Sequence, residues 1–184
     1  MSTTIAGRIA GRAAGVIHRK MPWRCFALRA ALAGLLVGPP AAYAAQRWSV
    51  AIDPQVSRCL PDVRAVLIDR EATRPGRGQI AVFTAEAGRQ RMFRPGSLVG
   101  KVVVGLPGDR ITVGPDQTTV NGRLVGLGLL VARSLGQEDE DFVRELVVPE
   151  GHLWVMGATA DSYDSRYWGP LPATSILGTG HALF

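Results

Sequence analysis

Outside its basic N-terminus the chain uses arginine as its cation almost throughout, yet it keeps one lysine, Lys101, and one cysteine, Cys59. Both are residue types whose protonation a protein can retune. A desolvated lysine gives up its proton readily and then works as a base, whereas arginine stays charged. Lys101 leads into Val102-Val103-Val104, an apolar strand able to bury the amine, although an ordinary surface lysine fits the composition equally well. A thiol ionises more easily than a hydroxyl, and a nearby ammonium favours the thiolate. By type alone, though, a lone cysteine such as Cys59 is more often a small buried residue than a reactive one. His152 and His181 are the other candidate partners for a cysteine. His152 follows Pro149-Glu150-Gly151 and reads as a turn residue; His181 lies in an apolar context that suits a core histidine. With Cys25 in the N-terminal segment and three scattered histidines, neither a disulfide framework, a cysteine-rich zinc site nor a metal cofactor is expected.

The elements that must hold these residues follow from patterning. The formal net charge of +6 misleads, because Arg8, Arg12, Arg19, Lys20, Arg24 and Arg29 all precede residue 31 and no acid does. The remainder is formally neutral and shows no basic stripe for nucleic acid. Residues 26–38 are mostly apolar and end at Pro39-Pro40, followed by a small-residue Ala42-Tyr43-Ala44 site. This describes either a cleaved export signal or a retained anchor, with the basic flank cytoplasmic and the rest exported. The expected division is therefore 1–47 as membrane or export segment and 48–184 as a periplasmic domain. Strands are expected at Ala65–Ile68, Gln79–Thr84, Leu98–Val104, Arg110–Val113 and Thr118–Val120, with Arg74–Gly78, Gly114-Pro115-Asp116 and Asn121-Gly122 as turns. Glu145–Val148 and Leu153–Met156 read as a hairpin across Pro149-Glu150-Gly151. Leu124–Leu135 reads as a single helix closed by Gly136, and Glu138–Asp141 as a solvated loop. The class is a mainly antiparallel β fold with a small helical insertion after an N-terminal membrane or export helix.

Two longer stretches make the reading specific. Lys101 stands four residues before Gly105-Leu106-Pro107-Gly108-Asp109, and Gly157 is followed by Ser162-Tyr163-Asp164-Ser165-Arg166-Tyr167-Trp168-Gly169. In this order and spacing they resemble the boxes of the signal peptidase I family, over roughly Trp48 to Phe184. The compact domain, the Cys-Leu-Pro element and the Arg-Tyr-Trp-Gly-Pro ending are most similar to the TraF-type peptidases of conjugative transfer, which process a pilin.

The resemblance implies a set of roles. Ser57-Arg58-Cys59-Leu60-Pro61 matches the family's nucleophile element, so Cys59 stands where the family has serine and Ser57 matches the hydroxyl that helps hold the oxyanion. Lys101 matches the general base, Ser162 the serine that orients it, and Asp164 and Arg166 a supporting ion pair. Tyr167 and Trp168 are expected as core or substrate-floor aromatics. The family's Gly-Asp-Asn opening is Gly157-Ala158-Thr159 here, and the box is one residue shorter. Cys59 as nucleophile, a dead site on a surviving scaffold, and Ser57 attacking in place of Cys59 all stay open. The implied activity is cleavage of an exported precursor polypeptide, with the inner membrane and type IV secretion components as surroundings. The alternatives are an inactive component of a conjugative complex and a general signal peptidase.

Overall fold

A computed structural model of the chain describes residues 22–53, 59–60, 62–86 and 91–183. Ser57 lies outside the described residues, as does the basic stretch before residue 22. The described residues divide into two units at Ala41/Ala42, and every strand among them lies in the second.

Helix α1 (Trp23–Arg47) runs through Pro39 and Pro40 without interruption, and none of its side chains is buried. It is 25 residues long with a mean hydropathy of 1.5 in its most apolar window, so by length and composition it can cross a membrane. At its end Arg47 bridges to Asp69 at 2.7 Å, both residues lying in the second unit.

Two antiparallel sheets follow. The larger joins β1 (Trp48–Ile52), β2 (Ala65–Asp69), β3 (Ile80–Thr84), β4 (Leu98–Gly105), β9 (His152–Met156), β10 (Leu171–Pro172) and β11 (Ile176–Ala182) in the order β1-β2-β11-β3-β4-β9-β10. The smaller joins β5 (Arg110–Val113), β6 (Gln117–Val120), β7 (Arg123–Leu127) and β8 (Arg144–Val147) in the order β7-β6-β5-β8. A four-residue helix, α2 (Ser165–Trp168), carries the second sequence box. Trp154 and Met156 on β9 pack with Ile111, Val113 and Val120 of the small sheet, which makes one core between the sheets. A second core under β3 and β4 gathers Ala81, Phe83, Val99, Val103 and Val155. The mainly antiparallel β class is therefore as expected.

Three local expectations are corrected. Leu124–Leu135 is not a helix: its first part is β7, and helical structure is confined to one 3₁₀ turn, Arg133–Leu135, closed by Gly136 at φ 72°. The cause is Asn121-Gly122, whose φ values of 50° and 78° form a primed turn that returns the chain as a strand against β6. Glu145–Val148 and Leu153–Met156 do not pair with each other. β8 pairs with β5 and β9 with β4, so the Pro149-Glu150-Gly151 turn carries the chain from one sheet to the other. His181 is not in the core; it is exposed on β11, where its ring meets Trp48 at 6.1 Å, because Gly178 and Gly180 occupy the inward positions of that strand. Glu138–Asp141 is solvent-facing as expected, but its Asp139–Phe142 part is wound into a capped 3₁₀ turn that plants Phe142 in the core.

Candidate active site

Strand β4 places the lysine. Its residues alternate in burial, with Val99, Lys101, Val103 and Gly105 turned inward, so Lys101 occupies a core position on an otherwise apolar strand. The side chain is 1% exposed. Beyond the strand the chain must turn sharply. Gly108 adopts φ 87°, and Asp109 accepts hydrogen bonds from the Leu106 N–H (2.6 Å) and the Asn121 amide (2.7 Å) while bridging to Arg77 at 2.5 Å. Desolvation pushes the Asp109 carboxyl up, but these donors outweigh it and hold it below the usual carboxylate range. Gly105 admits no side chain, since a Cβ there would stand 2.8 Å from that of Trp154. The turn thus fixes β4 against β9.

Lys101 Nζ donates to Ser162 Oγ at 2.7 Å. The Phe93 ring centroid lies 5.8 Å from the same nitrogen. Ser162, fully buried, belongs to the loop between β9 and α2, and Arg166 and Asp164 hold that loop. Asp164 caps α2, accepting from the Arg166 N–H at 3.2 Å, and accepts the Gly157 N–H at 3.0 Å with its other oxygen. The Arg166 guanidinium bridges Asp164 at 2.9 Å, donates to the Ser162 carbonyl at 3.1 Å, and reaches the carbonyls of Leu127 and Gly128 at 2.9 Å each. Burial alone lowers the Arg166 pKa, but the hydrogen bond and charge of Asp164 more than offset it, so the net shift is upward. A buried pair with every donor used is positioned for orientation rather than for proton transfer.

Cys59 is half-buried, and its carbonyl accepts the Ala158 N–H at 2.7 Å. It lines one cleft of about 520 Å³ together with Lys101, Phe93, Val66 and Val82. Neither His152 nor His181 lines that cleft; His152 Nδ1 instead meets the Glu150 carbonyl at 3.0 Å, as a turn residue does. Of the residues singled out in the sequence, Lys101, Ser162, Asp164, Arg166 and Cys59 gather here. Tyr167 is core, its hydroxyl accepting from the Val131 N–H at 3.1 Å, and Trp168 packs edge-on to Phe83. Two contributors carried no signal of their own in the sequence, Phe93 near the amine and the Ala158 amide, and Gly157, which opens the second box, shows here why it is glycine. A Cβ on Gly157 would stand 2.6 Å from Ser162 Cβ and 3.1 Å from Cys59 Cβ, so only glycine lets these residues meet. Among the described residues no group of three or more His, Cys, Asp or Glu is placed to hold a metal ion.

The family described as signal peptidase, peptidase S26, matches residues 41–184, which includes the whole of this site. The chain belongs to that family. Its S26 relatives include a conjugal transfer protein TraF from Agrobacterium fabrum, 36% identical over 46% of this chain and 47% of that one. A probable signal peptidase I-2 from Synechocystis is 30% identical over 60% of this chain and 48% of its own. A mitochondrial inner membrane protease subunit 1 from Saccharomyces cerevisiae is 39% identical over 46% and 40%. The chain thus spans about half the length of these curated S26 relatives or less. A crystal structure of a signal peptidase I from Enterococcus faecalis V583 covers 61% of this chain at 25% identity with a TM-score of 0.38. The apolar N-terminal helix agrees with association to a membrane.

Proposed function

We propose that this S26 member is a membrane-associated endopeptidase that cleaves an exported precursor on the periplasmic side, with Cys59 as nucleophile and Lys101 as its base. The observation that carries the reading is a lysine amine, 1% exposed and hydrogen-bonded to a buried serine, in the same cleft as the half-buried thiol. In the first step the Cys59 sulfur attacks the scissile carbonyl carbon and its proton passes to Lys101. The Cys59 N–H and the Ser57 hydroxyl hold the resulting oxyanion. The C–N bond then breaks as Lys101 returns the proton to the leaving amine, which leaves a thioester. Water attacking that thioester gives hydrolysis; an amine of the same chain would close a ring instead. Ser162 and the Asp164–Arg166 pair orient Lys101 without exchanging protons.

The likeness to TraF proteins makes a conjugative pilin or related transfer protein the proposed substrate, with type IV secretion components as neighbours. The likeness to signal peptidase I-2 supports the broader reading of a general signal peptidase. Complementation of a signal-peptidase-depleted strain separates the two. The mechanism is tested by comparing Cys59→Ser with Cys59→Ala for precursor processing in membranes. The Ser variant is expected to retain measurable turnover and the Ala variant none. Full activity in Cys59→Ala, abolished by Ser57→Ala, would move the nucleophile to Ser57. Processing left unaffected by both Cys59→Ala and Lys101→Ala would end the peptidase reading and leave a structural component.

A further inference from the structure

A second groove of about 500 Å³ lies beside the catalytic cleft and takes no part in the mechanism. Its walls include Val102 and Val104 of β4, Val120 of β6 and Leu124 of β7, and two arginines, Arg77 and Arg123, also line it. The groove continues the cleft along one face of β4. Gly100 lines the cleft and faces Ile80, whose Cγ2 is 3.5 Å from where a Gly100 Cβ would be. Val102, two residues on, packs with Ile80 and Val82 and lines the groove. Residues two apart on a strand share a face and are separated by roughly 6.6 Å, so a polypeptide extended across the cleft reaches the groove within a few residues.

The chemistry of the groove selects what lies there. Its floor is aliphatic. Asp109 is already engaged by Arg77, whereas Arg123 is exposed at the start of β7 and has no ion-pair partner among the described residues. The surplus of positive charge over an apolar floor suits a segment that alternates acidic and aliphatic residues. β7 is also an edge strand of its sheet, so one side of its backbone is open to an added strand. We infer that this groove is an exosite for an extended acidic-apolar segment of the polypeptide substrate, a few residues away from the scissile bond. The inference rests on the peptidase reading for its biological occupant but not for its test.

The test uses the full chain carrying Cys59→Ala in detergent, so binding is measured whether or not Cys59 is the nucleophile. A fluorescein-labelled octapeptide alternating Glu and Val is titrated by anisotropy against a Lys–Val counterpart. The Glu–Val peptide is expected to bind and to weaken with added salt. Arg123→Glu should weaken it about fivefold to tenfold while Arg123→Lys stays within about twofold of the parent. If Arg123→Glu does not fold, Leu124→Glu on the same wall reports the same loss. Equal binding of both peptides, or no change in Arg123→Glu, overturns the exosite. So does an effect of Arg123→Glu confined to self-association in sedimentation, or to binding of phosphatidylglycerol vesicles, since either result assigns the groove to another occupant. Intact peptide binding with unimpaired cleavage in Cys59→Ala would instead refute the nucleophile assignment and leave the exosite standing.

Discussion

Replacing Gly157 by alanine tests the site at the point where its parts are closest. The added Cβ would stand 2.6 Å from Ser162 Cβ and 3.1 Å from Cys59 Cβ. Non-bonded carbons are comfortable at about 3.5–4.0 Å, so Ser162 must retreat by roughly 1 Å or the loop must move as a body. The Ser162–Lys101 hydrogen bond is 2.7 Å long, and such a retreat carries it out of bonding range. Overpacking of this kind costs about 1–3 kcal/mol, and stranding a buried polar group adds about as much again. A misplacement of about 1 Å at a reacting constellation lowers turnover roughly 10²-fold. The assay is single-turnover cleavage of precursor in membranes, paired with thermal unfolding of the purified protein. Gly76→Ala is the control, because its Cβ would meet only Gln79 Oε1, at an ordinary 3.5 Å. A Gly157→Ala protein that keeps the parent melting temperature and single-turnover rate would refute the packing argument. One that melts early yet cleaves normally per folded molecule would show that the Lys101–Ser162 contact is dispensable.

Three further outcomes are expected. Ser162→Ala should leave substrate binding intact and slow the chemical step roughly 10- to 100-fold, read as a fall in kcat at constant KM, because only the orientation of Lys101 is lost. Asp164→Asn should destabilise the domain by about 3–5 kcal/mol, since Arg166 stays buried without its counter-charge; thermal unfolding should show a drop of roughly 10 °C. Asp109 has a folded-state pKa below its ordinary 3.8, so its contribution is fully present above that value and is lost as the pH falls through the lower folded value. The melting-temperature gap between the parent and Asp109→Asn should therefore be widest near neutrality and close progressively below about pH 4, and a gap that is flat with pH would contradict the assignment.

What the sequence disclosed and what it withheld divide along the range of the interactions. Asn121-Gly122 announced a hairpin because the turn needs positive φ at both residues, and this local rule holds even where apolar spacing after it suggested a helix. Leu124–Leu135 misled because Leu and Gly spacing serves a bulged edge strand as well as a helix. Lys101 stood out by its residue type alone, and β4 buries it, which decides between the buried and surface readings that composition left even. The insertion of β11 between β2 and β3 had no local signature, nor did the jump of the chain between sheets after β8. Such pairings are set by the burial of whole faces. Phe93 and the Ala158 amide join the site only through tertiary packing, so no spacing along the chain points to them.

The shortened second box shows which features of the site loop matter. Gly157-Ala158-Thr159 lacks the acid and amide expected there, yet Ser162 still meets Lys101. The loop is pinned at backbone atoms: the Gly157 N–H on Asp164, and the Thr159 and Ser162 carbonyls on Arg166 at 3.3 Å and 3.1 Å. None of these bonds depends on the side chains of residues 158 and 159. The Ala158 N–H, freed from any side-chain requirement, holds the Cys59 carbonyl. The positions that must be kept are therefore Gly157, for want of room, and Asp164 and Arg166, for want of another anchor. Substitution at Ala158 by residues other than proline should leave the Lys101–Ser162 contact in place, whereas Ala158→Pro removes the N–H that holds Cys59 and should release Cys59 while sparing the core.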